Sequence, residues 1–226
     1  MRNFKLKLAV PVVAGALGLF ASFAHGAQIL GYSQLSSSNT LTATANGTNT
    51  ATTLSVVNAG VSVGNYAGGG SPFNAILNIF NTTSTNSATI VGGVLLNQSF
   101  TGDFCITSGA NCTGTNFLSG HFIDAFQAVL GGSSATISAT TPPGGAVTFT
   151  SSILTAAQLQ AERAVGFSLS NIINPIALCG STVCSFTASQ SGTMSANLRT
   201  VPEPATLVLL GTALAGLGFA RRSKQS

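Results

Sequence analysis

The central part of the chain is a series of short runs in which apolar side chains alternate, or nearly alternate, with hydroxyl-bearing and amide side chains. The runs are rich in Thr, Val, Ile and Phe, and they occur at residues 41–45, 53–56, 61–63, 75–80, 94–100, 135–139, 146–150, 165–170 and 185–188. This composition and period are typical of half-buried β-strands. Turn sequences such as Asn46-Gly47, the segment 68–72 and the segment 142–145 separate the runs. Many short strands with such turns predict an all-β fold of the β-sandwich or jelly-roll kind.

Three segments are ambiguous in this pattern. Residues 155–158 read Thr-Ala-Ala-Gln, which fits a capping box and predicts a short helix or a single helical turn leading into residues 159–163. Residues 122–129 fit helical spacing as well, but glycines bracket a run of strand length and favour a strand. The region 36–58 is dominated by Ser, Thr, Asn, Ala and Gly, and it is interpreted either as strand-forming or as a loosely ordered arm.

Charged residues are scarce and lie mostly at the two ends of the chain. Charged residues make up 5% of the 226 positions, against roughly 25% in an ordinary soluble domain. The formal net charge is +4, but residues 28–200 hold two basic against three acidic residues, a net charge of −1. A nucleic-acid surface needs clustered Lys and Arg, so this class of partner is excluded for the central region. The basic residues at the ends are Arg2, Lys5, Lys7, Arg221, Arg222 and Lys224.

The N-terminal basic residues precede an apolar stretch over residues 8–23, which the small residues Ser22, Ala24 and Gly26 close. This order is typical of a secretory signal peptide, because the positive end stays cytoplasmic while the apolar run enters the bilayer as a helix. We therefore assign residues 1–26 as a signal peptide and expect signal peptidase to cut between residues 24 and 27. The alternative is an uncleaved anchor, although the run is short for a membrane-spanning helix.

The C-terminal end has three parts. Pro202-Glu203-Pro204 forms a stiff, non-helical leader, since Pro202 lacks an N–H and Pro204 biases Glu203 towards extended geometry. The segment 205–220 is uncharged and mostly apolar, and as a transmembrane helix it would span about 24 Å. Arg221 and Arg222 follow it. Because basic residues stay on the cytoplasmic side, the domain before the helix is expected to lie outside.

This tripartite tail resembles the PEP-CTERM sorting signal of Gram-negative bacteria. The resemblance covers about the last 26 residues and depends on Pro202, Glu203, Pro204, the apolar helix and the Arg221-Arg222 pair. It implies that an exosortase, a membrane-embedded cysteine transpeptidase-like enzyme, recognises the tail and removes it. It also implies delivery to the cell surface or to an exopolysaccharide matrix, with Pro202, Glu203 and Pro204 as substrate residues. The alternative is a plain C-terminal anchor that is not cleaved.

The four cysteines form two close pairs in sequence, Cys105 with Cys112 and Cys179 with Cys184. Export places them in an oxidising compartment, where disulfides form. Three connectivities are possible, and proximity favours the two local bridges. A zinc site is the alternative, but six and four intervening residues do not match the usual ligand spacings, and no His lies nearby.

Candidate catalytic groups are few. Residues 28–200 contain one histidine, His121, and a triad would need it beside Asp103 or Asp124. Asp124 is three residues along the same strand, so its side chain should face the other side. No G-x-S-x-G motif singles out a nucleophile. We therefore predict no enzyme and no catalytic, cofactor-binding or metal-binding residues.

These observations predict three domains: the signal peptide 1–26, an exported β-rich domain over 27–200, and the sorting signal 201–226. The favoured function is a non-enzymatic surface or matrix protein with a structural or adhesive role in an exopolysaccharide or biofilm matrix. Edge strands that lack charged residues also favour self-association. The alternative is a carbohydrate-binding module that retains exopolysaccharide, and a secreted hydrolase is the less favoured third reading.

Overall fold

All regular structure in the described part of the chain is β-strand, which confirms the predicted all-β class. A computed structural model describes residues 27–140 and 146–197; the predicted signal-peptide helix and C-terminal membrane helix lie outside these ranges. Within them, no helix has the length and apolar character needed to cross a membrane. The strands are β1 (Ala27–Gln34), β2 (Leu41–Ala45), β3 (Thr52–Tyr66), β4 (Phe73–Ser84), β5 (Thr89–Val91), β6 (Leu95–Thr107), β7 (Asn116–Val129), β8 (Ala135–Thr140), β9 (Ala146–Thr150), β10 (Gln160–Ile173), β11 (Leu178–Cys179), β12 (Thr182–Val183) and β13 (Phe186–Asn197).

The main sheet closes on itself through antiparallel pairing. Its order runs β6-β4-β3-β1-β13-β10-β8-β7, and β7 then pairs with β6 along almost its whole length. Strand β2 continues the line of β1 between β3 and β13, and β9 pairs with β7 beyond the end of β8. Two opposed faces joined in this way enclose one core, consistent with the predicted β-sandwich.

Period-two alternation places the core. Along β6, Leu96, Gln98, Phe100, Gly102 and Phe104 point inward, and the residues between them are partly exposed. The same rule along the other strands gives a continuous apolar cluster. Its largest members are aromatic and fully buried: Phe100, Phe104, Phe122, Phe126 and Phe167.

The ambiguous segments resolve in favour of strands. Residues 36–58 contain β2 and the start of β3, and residues 122–129 belong to β7. Residues 155–158 form the single turn, with Thr155 N donating to Gln158 Oε1 (2.9 Å) and Gln158 N donating to Thr155 Oγ1 (3.3 Å). No helix follows, because β10 begins at Gln160 and pairs with β13. Sheet pairing overrides the local helical signal there.

Both favoured local disulfides are present. Cys105–Cys112 ties the end of β6 to the loop before β7, and Cys179–Cys184 closes the β11–β12 hairpin. Since all four sulfurs are in disulfides, none is available as a zinc thiolate.

Candidate functional site

A groove with a volume of about 850 Å³ lies on the outer face of β3 and β4. Thr53, Ser55 and Val57 of β3 point into solvent there, because the alternate residues Leu54 and Val56 belong to the core. Strand β4 contributes residues 78–83, and the loop closed by the Cys105–Cys112 disulfide contributes Asn111 and Cys112. Every residue that lines this groove is uncharged.

Three asparagines shape the groove. Asn58, Asn81 and Asn111 have φ values of 49°, 51° and 54°, a left-handed conformation that Asn tolerates better than most residues. The pairing register shifts near two of them, between Val56 and Ala59 in β3 and between Phe80 and Thr83 in β4. Irregularities of this kind bend a strand and redirect its side chains. The groove therefore results from local breaks in an otherwise regular pair of strands.

Reciprocal hydrogen bonds hold the disulfide loop against β3. Asn58 Nδ2 donates to Asn111 Oδ1 at 3.0 Å, and the Asn111 backbone N–H donates to Asn58 Oδ1 at 2.7 Å. The Cys105–Cys112 disulfide fixes the other side of the same loop. These hydrogen bonds and the disulfide together fix this wall of the groove.

Asn78 is the least satisfied polar residue of the groove. It is 7% exposed, and its Oδ1 accepts a hydrogen bond from the Asn58 backbone N–H at 2.8 Å. Its Nδ2 is buried without a hydrogen-bond partner. Beside these amides the groove presents two exposed apolar side chains, Phe80 at 39% and Val57 at 72%. The lining therefore combines amides and hydroxyls with exposed apolar surface.

A hydrogen-bonded chain of polar side chains extends from the groove across β6 to β7. Asn81 Nδ2 donates to Asp103 Oδ2 at 3.0 Å, Asp103 Oδ1 lies 2.8 Å from His121 Nδ1, and His121 Nε2 lies 3.2 Å from Thr101 Oγ1. Asp103 and His121 meet because they are directly paired across β6 and β7. The groove and the histidine–aspartate pair thus share Asn81.

The order hydroxyl, imidazole and carboxylate is that of a hydrolase triad, but its setting is a solvent-exposed sheet face. The His121 and Asp103 side chains are 40% and 32% exposed, and exposed pairs of this kind contribute about 0.2–1 kcal/mol. Of the two acids named from the sequence, the structure brings Asp103 to His121. Asp124 lies opposite Phe100 in the backbone register. The hydrogen bond to Asp103 fixes the orientation of the Asn81 amide at the edge of the groove.

The electrostatics of Asp103 predict a small acid-side loss of stability. Desolvation raises its pKa, but hydrogen bonds from Asn81 and His121 and the charge of His121 outweigh this and lower the pKa below its ordinary value. Stability from such a group is present above the unfolded-state pKa and is lost as the pH falls through the folded value. Urea unfolding of wild type and Asp103→Asn should therefore differ by less than about 1 kcal/mol near pH 6 and converge as the pH falls below the ordinary titration range of an aspartate. A difference that widened in acid would contradict this assignment.

Sequence reasoning did not find the groove. The only signal for it is the occurrence of Asn58 and Asn81 just after runs that otherwise alternate. The predicted sorting residues Pro202, Glu203, Pro204, Arg221 and Arg222 lie outside the described residues.

Comparison with known families identifies the C-terminal end. The family model for the PEP-CTERM protein-sorting motif matches residues 200–222, which include the Pro-Glu-Pro sequence and both arginines. No curated protein and no solved structure matches the chain. The motif implies processing by an exosortase, membrane anchoring, and export to the cell envelope or surface. The chain therefore carries a PEP-CTERM protein-sorting motif, as the resemblance in its last residues predicted.

Proposed function

We propose that this chain is a non-enzymatic protein of the cell surface or extracellular matrix, with a structural or adhesive role. The observation that carries the proposal is the sorting motif at residues 200–222, joined to an all-β domain that two disulfides brace. A domain of this kind suits an oxidising, exposed location. The scarcity of charge favours packing against like molecules or neutral polymers over recognition of charged ligands.

The chemistry of the described residues supports a non-catalytic role. General acid–base catalysis usually relies on groups that burial or neighbouring charges tune towards neutral pH. His121 and Asp103 instead lie on a solvent-exposed sheet face, with side chains that are 40% and 32% exposed. Thr101, the hydroxyl beside His121, is a secondary alcohol. These properties suit a surface hydrogen-bond chain better than an activated nucleophile.

One edge of the domain supports self-association. Strand β5 pairs with β6 beyond the end of β4, and its other edge has no strand partner among the described residues. The side chains on and near this edge are apolar and exposed, and those of Ile90, Val91, Val94 and Val129 are 42–57% accessible to solvent. Natural edge strands are commonly protected by charged side chains, and β5 contains none. This edge is suited to addition of a strand from a neighbouring copy.

The first test is made in the native host. Intact mass of the protein released from the cell surface should correspond to a chain without the signal peptide and without residues 205–226, and deleting the gene should weaken cohesion of the extracellular matrix. A Pro202→Ala, Glu203→Ala, Pro204→Ala triple variant should leave an unprocessed precursor in the membrane and fail to restore cohesion.

A second variant separates delivery from adhesion. Val91→Lys places a charge on the β5 edge without touching the sorting motif, so the protein should reach the surface at a normal level while matrix cohesion falls. The proposed function would be overturned if the wild-type protein at the surface still carried its tail, or if the matrix of Val91→Lys cells were as cohesive as that of wild-type cells.

A further inference from the structure

We infer that the groove on β3 and β4 binds a neutral polysaccharide chain. This inference deepens the proposed function, because a sugar polymer is within reach only of a protein delivered to the surface. It rests on the groove itself, whose lining, exposed apolar residues and unsatisfied amide each point to the same ligand chemistry.

The polar lining matches sugar hydroxyls. Asn81 and Asn111 present amides, and Thr53, Ser55 and Thr83 present hydroxyls. Each of these groups can both donate and accept hydrogen bonds, as every sugar hydroxyl can. The volume of about 850 Å³ falls within the range of roughly 300–1,000 Å³ that small-molecule sites occupy. A short stretch of a polymer therefore fits the groove in both size and chemistry.

The charge of the groove selects an uncharged chain. None of its lining residues is charged, and the nearest carboxylate, Asp103, is hydrogen-bonded to the lining residue Asn81. An anionic polysaccharide would find no cation there and would face this carboxylate at close range. A neutral chain needs no cation in the groove and is not repelled by the Asp103 carboxylate.

The apolar part of the groove accounts for the rest of the sugar. A pyranose ring has C–H faces, and Phe80 and Val57 offer exposed apolar surface beside the amides. An aromatic ring in contact with such a face adds dispersion to the hydrogen bonds around it. This mixture distinguishes the groove from a wholly apolar docking surface.

The buried amide of Asn78 is the strongest pointer to a ligand. Its Oδ1 is occupied by the Asn58 backbone N–H, while its Nδ2 has no partner. An unpaired buried donor is destabilising, and native structures rarely keep one without a reason. Rotation of the Asn78 side chain towards the groove would let a hydroxyl or ring oxygen of a bound sugar accept a hydrogen bond from this donor.

Two other occupants fit less well. The apolar segment 205–220 of this chain has almost no side-chain hydrogen-bonding groups, so it would leave the groove amides unpaired. A second copy of the domain is better placed at the β5 edge, where backbone groups and apolar side chains are both available.

The test uses the full chain in detergent and measures binding to polysaccharides by affinity electrophoresis and calorimetry. The probes are dextran, laminarin, the neutral polysaccharide extracted from the host matrix, and anionic alginate. Binding to at least one neutral probe is expected, with little change as salt rises, because no ion pairs are involved. Phe80→Ala should weaken it about 5- to 10-fold. Ile173→Ala, an exposed apolar residue outside the groove, should not.

Several results would overturn the inference. They are failure of every neutral probe, salt-sensitive binding to alginate alone, equal effects of the two substitutions, or conversion of a dimer to a monomer by Phe80→Ala. Binding is measured on purified protein, whereas the proposed function is tested on cells. If the protein reaches the surface and supports cohesion but binds no polysaccharide, the groove assignment is wrong and the structural role stands. If the purified protein binds a neutral polysaccharide but the cells show neither surface delivery nor cohesion, the groove assignment stands and the proposed function is wrong.

Discussion

Replacement of Phe104 by alanine is expected to lower the free energy of unfolding of the β-domain by about 3–5 kcal/mol. The ring is 1% exposed and makes edge-to-face contacts with Phe149 and Phe167, at centroid distances of 6.2 and 6.0 Å. The ring also packs over Gly120, its cross-strand partner on β7. A Cβ added at Gly120 would lie 2.8 Å from the Phe104 ring. The substitution therefore opens a cavity that the glycine cannot fill.

Urea unfolding of the two proteins measures this loss directly. Phe80→Ala is the matched control, because Phe80 lies on the neighbouring strand β4 and its side chain points into the solvent-facing groove. It should cost less than about 1 kcal/mol. Equal losses for the two phenylalanines would contradict the assignment of Phe104 to the inward face and Phe80 to the outward face.

This inward and outward assignment is the part of the fold that the sequence predicts best. In β6 and β3 the side chains alternate, and the alternate residues form the core. Even the polar region 36–58 follows this rule, since Leu54 and Val56 are buried while Thr53 and Ser55 are exposed. Because this region has few apolar residues, its strands are difficult to recognise in the sequence, although buried and exposed side chains still alternate.

Pairing between distant strands could not be predicted in the same way. Closure of the main sheet requires β1 to pair with β13, which lies more than 150 residues later in the chain. Nothing in the local pattern of either strand specifies that partner, because any strand with one apolar face satisfies the same rule. Long-range register depends on how all faces pack together.

The same limit applies to the candidate site. Asp103 and His121 were both visible as rare titratable residues, but their contact depends on the register of β6 and β7. The groove depends on breaks at Asn58 and Asn81, where a left-handed residue interrupts the strand. An asparagine in a sequence so rich in this residue carries little information until its backbone conformation is known.

The buried polar cluster around Gln98 gives the second large expected effect. Gln98 occupies an inward position of β6, where alternation would place an apolar residue. Its Oε1 accepts from the Val183 backbone N–H at 3.0 Å, and its Nε2 donates to the Asn86 carbonyl at 2.9 Å and to Thr182 Oγ1 at 3.0 Å. Thr52 Oγ1 lies 2.7 Å from the same Thr182 hydroxyl. One glutamine thus attaches the β11–β12 hairpin to the sheet.

Gln98→Ala should lower the free energy of unfolding by about 2–4 kcal/mol, because it leaves the Val183 amide and the Asn86 carbonyl without their partner. Hydrogen exchange at the Val183 amide should accelerate more than exchange in the centre of β13, since the hairpin loses its attachment to β6. Gln127→Ala, at an exposed position of β7, should change stability by less than about 0.5 kcal/mol. If exchange at Val183 stayed slow in Gln98→Ala, the Cys179–Cys184 disulfide and the surrounding core would be sufficient to hold the hairpin, and the role given to Gln98 would be wrong.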